Sequence, residues 1–69
     1  MSDERAMKLF QLDGQITALE SELKDLAERA SAANGAASEE RLNDMIAEVE
    51  ARITTLRELR DAHASAIRA

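Results

Sequence analysis

The sequence predicts an all-α protein: an antiparallel two-helix hairpin, coiled-coil-like, that dimerises into a four-helix bundle. Three observations predict it. The composition is that of long helices, with no proline, no cysteine, two glycines and a single aromatic residue, Phe10, among 69 residues. Large apolar residues recur at alternating spacings of three and four in both halves of the chain. One stretch, "AERASAANGAASEER" (Ala27–Arg41), interrupts the large apolar residues and carries an Asn-Gly.

The first helix is expected over about Asp3–Ala33. Its apolar residues are Leu9, Leu12, Ile16, Leu19, Leu23, Leu26, Ala30 and Ala33, which form one seam along a helix face. Ser2 precedes Asp3 and Glu4, the pattern of an N-cap followed by acids in the first turn. Asn34 and Gly35 tolerate left-handed backbone and so mark the stop. A turn over 34–38 follows. The second helix is expected over about Glu39–Ala66, with Ser38 as its N-cap and Glu39 and Glu40 in its first turn. Its seam runs Leu42, Ile46, Val49, Ile53, Leu56, Arg60, His63, Ile67. The whole chain, 1–69, is one helical-hairpin domain.

A register test separates a hairpin from a continuous rod. Folding the chain back at 34–37 sets Ala30 against Leu42, Leu26 against Ile46, Leu23 against Val49, Leu19 against Ile53 and Ile16 against Leu56. Every large seam residue in that run finds an apolar partner. A rod would instead hold Gly35 within a helix, at a cost of roughly 1 kcal/mol relative to alanine. Arg60 and His63 fall opposite Leu12 and Leu9. The open end is therefore expected to splay, its core shifting to Leu59, Ala62 and Ala66 while both polar tips reach water. Four surface pairs stand at i, i+4 in the favourable order, Glu4–Lys8, Glu20–Lys24, Asp25–Arg29 and Glu48–Arg52.

A lone hairpin leaves apolar residues over. The second helix adds Met45, Leu59 and Ala66 beside its seam, and the first adds Met7 and Phe10. Such a widened face is that of a bundle helix, and a homodimer is the economical way to cover it. The expected oligomer interface comprises Met7, Phe10, Gly14, Met45, Leu56, Leu59, His63 and Ile67. Gly14 is included because it shares a face with Met7 and Phe10 and permits a close helix approach.

The net charge is −5, and from Glu20 to Arg52 nine acids meet four bases, so that half carries all of it. No basic stripe exists for nucleic-acid phosphates. No apolar run is long enough to cross a membrane, and the N-terminus has no signal-peptide core, so no membrane partner is expected and the location expected is cytoplasmic. Without cysteine, and with one histidine, no metal site is expected. No nucleophile stands beside a base and no phosphate-cradling loop is present. Catalytic residues and cofactors are therefore expected to be none. The chain reads as a non-enzymatic protein–protein interaction module, a regulator, inhibitor or assembly factor. The alternative is a structural subunit of a larger coiled-coil assembly. The acids Glu39, Glu40, Asp44 and Glu48 are the candidate surface for a basic partner.

One resemblance offers a further reading. "LNDMIAEV" (Leu42–Val49), after a leucine-rich helix and a Gly-containing turn, resembles the small helical-hairpin aspartyl-phosphate phosphatases of the sporulation pathway. That family carries Ser-x-x-x-Asp at the start of its second helix. The matching positions here are Glu39 and Asn43, so both signature residues differ. The predicted architecture also resembles, in shape, the plasmid RNA-binding hairpin dimer, and shape does not carry function.

Overall fold

The computed structural model of the chain describes residues 2–68, and the side chains of residues 4–66. It contains two helices, α1 (Ser2–Ala32) and α2 (Ala36–Arg68), packed against each other as an all-α hairpin about 52 Å long. That length is what helices of 31 and 33 residues give at a 1.5 Å rise.

The turn is tighter than the sequence suggests. At the end of α1 the Ala33 N–H donates to the Ala30 carbonyl at 3.3 Å, a single tightened turn. Among the described residues Gly35 alone takes positive φ, at 106°. Asn34 does not share that conformation, so the reversal rests on the glycine. The Glu39 N–H then donates to the Gly35 carbonyl at 3.1 Å, which makes Gly35 the residue from which α2 starts. The expected start at Glu39 with Ser38 as N-cap is therefore corrected: α2 begins at Ala36 and Ser38 lies in its first turn. Ala36 and Ala37 are strong helix formers, and glycine is an acceptable N-cap. Helix forms as soon as the turn allows it. Ser2, the expected cap of α1, likewise lies within its helix.

The core follows the predicted seam. Leu12, Ile16, Leu26, Val49 and Ile53 are buried. Leu19, Leu23, Leu42, Ile46 and Leu56 pack partly buried against the cluster of Ile16, Leu26, Val49 and Ile53. Three cross-helix polar contacts hold the same antiparallel register. Arg57 meets Glu20 at 2.6 Å, the Arg60 Nε meets Asp13 at 2.5 Å, and Arg5 donates to the Ala66 carbonyl at 3.3 Å.

The expected repacking of the open end does not occur. Leu59, Ala62 and Ala66 are exposed, while His63 and Ala64 are half-buried. The seam thus runs on through His63 in its original register. Arg60 does reach solvent, as expected, but its guanidinium crosses to Asp13, the neighbour of Leu12. Leu12 beside that pair is only 4% exposed. Of the four expected i, i+4 pairs, Glu48–Arg52 forms, at 3.0 Å, while Glu20 turns to Arg57 on the other helix.

Candidate interaction surfaces

The hairpin has two flanks, and its ion pairs tell them apart. Asp13 and Glu20 of α1, with Arg57 and Arg60 of α2, close one flank with cross-helix pairs. Leu59 is two residues beyond Arg57, about 200° around α2. It therefore stands on the other flank, and Met45, two heptads earlier, shares its face. On that second flank no ion pair joins the two helices among the described residues.

The expected interface residues are thus divided. Leu56 is half-buried against the core, and His63 is half-buried in the seam. Leu59 and Met45 lie exposed on the open flank. Met7, Phe10 and Gly14 lie on the outward face of α1, away from Leu59. Phe10 is the most exposed of the described large apolar side chains, at 80%, and Met7 stands at 66%. A Cβ built on Gly14 meets nothing within 4 Å, so within one hairpin nothing approaches it closely. The Ile67 side chain lies outside the described residues.

The structure adds residues that the sequence reading passed over. Gln11, Thr17, Ala18 and Ser21 share the outward face of α1 with Met7, Phe10 and Gly14, giving a face without charge where a surface helix ordinarily carries it. Following the helical repeat from Phe10 and Gly14, to Thr17 at i+7 of the first and to Ala18 and Ser21 at i+4 and i+7 of the second, would have found most of them. On the open flank, Glu48, Ala51, Arg52 and Thr55 surround a mostly apolar depression of about 440 Å³, floored by Leu19 and Leu56. The Thr55 hydroxyl donates to the Ala51 carbonyl at 3.1 Å, so it needs no further partner there.

The candidate acidic surface is in place. Glu39, Glu40, Asp44 and Glu48 are all exposed, and Glu48 is the one of these paired, with Arg52. Glu39 and Asn43, which occupy the phosphatase signature positions, are exposed on the first turns of α2. Among the described residues, no group of three or more His, Asp or Glu side chains gathers to hold a metal ion. No helix among them is long and apolar enough to cross a membrane. No protein-family model, curated protein or solved structure matches the chain.

Proposed function

We propose that the chain is a non-enzymatic protein–protein interaction module, a helical hairpin that self-associates through apolar surface left outside its own core. The observation that supports this reading is the set of large apolar side chains at the surface: Met7, Phe10, Met45 and Leu59 are 41–80% exposed. Burying a side chain of this size contributes roughly 1.5–3 kcal/mol. A chain of 69 residues has a small core and gains proportionally more than a large one from a second copy. The acidic half of the hairpin, with Glu39, Glu40, Asp44 and Glu48, is left to present to a basic protein partner.

Light scattering coupled to size exclusion tests self-association. The expected mass is twice the 7.6 kDa of one chain. A monomer at high micromolar concentration refutes it. For the acidic surface, the triple reversal Glu40→Lys, Asp44→Lys and Glu48→Lys is expected to weaken binding of a basic partner and to flatten its salt dependence. Unchanged affinity and salt dependence remove that half from the binding surface.

A further inference from the structure

We infer that the second copy docks on the open flank of α2, with α2 against α2 in antiparallel order about a two-fold axis near Thr55. This rests on the self-association proposed above and names its face and direction. The depression on that flank is bounded by Glu48, Ala51, Arg52 and Thr55, at relative positions i, i+3, i+4 and i+7. Four residues at that spacing make the hole into which a knob from a facing helix inserts. A knob is available on the same helix. Leu59 is 47% exposed, one turn beyond Thr55.

Symmetry decides whether knob and hole meet. In a two-fold pair, one patch faces its own copy. Leu59 and Ala51 are each four residues from Thr55, so antiparallel packing about Thr55 sets Leu59 over the partner's Ala51, and the reverse. A large side chain then meets a small one at both places. Arg52 and Glu58 are each three residues from Thr55, about 4.5 Å of helix. The same packing sets Arg52 against the partner's Glu58 twice over. A parallel pair would set Arg52 on Arg52 and Glu58 on Glu58, which repel. Glu58 has no ion-pair partner among the described residues, and Arg52 is held only by Glu48, one turn away and exposed. Thr55 at the axis brings no unpaired hydroxyl, because its own helix already accepts that proton. The opposite flank is occupied by the Glu20–Arg57 and Asp13–Arg60 pairs, which a docking helix would have to displace.

The chain contains no cysteine, so single cysteines report without background. Thr55→Cys is expected to form a covalent dimer on mild oxidation, because a two-fold axis brings a residue near it to its own copy. Phe10→Cys, on the outward face of α1, is expected to remain uncrosslinked. Arg52→Glu and Glu58→Arg are each expected to raise the dimer dissociation constant on the order of tenfold, and the double variant to restore it. Mass by light scattering is measured alongside on the unmodified chain. A dimer in which Thr55→Cys fails to crosslink, or in which the double charge variant is weaker than either single one, overturns this geometry and leaves self-association standing. A monomeric unmodified chain overturns both.

Discussion

Truncating Leu26 tests the account of the core. The side chain is 3% exposed and belongs to the central cluster with Ile16, Val49 and Ile53. Leu26→Ala removes three carbons from a site flanked by two rigid helices, which close poorly around a void. Such truncations cost about 2–4 kcal/mol. A domain of this size has a total stability of roughly 3–10 kcal/mol, so the loss is a large fraction of it. In urea, with a slope near the ~1 kcal/mol/M of the smallest domains, the midpoint is expected to fall by about 2–4 M. The control is Phe10→Ala. It deletes a larger side chain that is 80% exposed, and its expected cost is under ~0.5 kcal/mol. Helical circular dichroism through urea titrations reads both variants. Protein concentration is held equal, since self-association links stability to it. A Leu26→Ala cost below ~0.5 kcal/mol, or a Phe10→Ala cost equal to it, refutes the seam as the source of stability.

Gly35→Ala is expected to destabilise the hairpin by about 1–2 kcal/mol, because an alanine strains at φ 106°; an unchanged thermal midpoint argues against the glycine turn. Gly14→Ala is expected to stabilise by up to ~1 kcal/mol, raising the midpoint by about 4–8 °C, since a Cβ there enters open space. A fall instead would place another helix against Gly14. A double-mutant cycle on Asp13 and Arg60 is expected to give a coupling of about 0.2–1 kcal/mol that shrinks in salt, both side chains being nearly half exposed. Zero coupling at low salt would deny the pair any part in holding the open end.

The seam was legible because its signal is repeated. Each turn from Leu9 to Leu26 and from Leu42 to Leu56 votes for the same face, and the two sets agree on one fold-back point. The start of α2 was not legible for the opposite reason. Ala36 and Ala37 carry neither a polar cap nor an apolar beat, so their strong helix propensity left no mark beside the more conspicuous Ser38-Glu39-Glu40. The open end misled because Arg60 looks like an interruption on the letter level. In space its guanidinium reaches across the hairpin to Asp13, so the position still ties the two helices together. That Phe10 and Leu59 stand on different faces of one hairpin was not legible, for a geometric reason. Both stand near the open end in sequence, and only the pairing of Glu20 with Arg57 and of Asp13 with Arg60 fixes which way each flank faces.

In the proposed pair the two copies meet through α2, and each α1 faces away from the axis. The charge-free face of Met7, Phe10 and Gly14 then stays open in the assembled state, once on each side. Two-fold symmetry makes any such surface bivalent. A monovalent partner gains nothing from the second face, whereas one offering two linked sites binds with the added advantage of effective concentration. In that pair, the α2 contact and the α1 face are on opposite sides and can be altered independently. A substitution at Leu59 is expected to abolish pairing, read as a halved mass in light scattering, while the same substitution at Phe10 is expected to leave the mass unchanged.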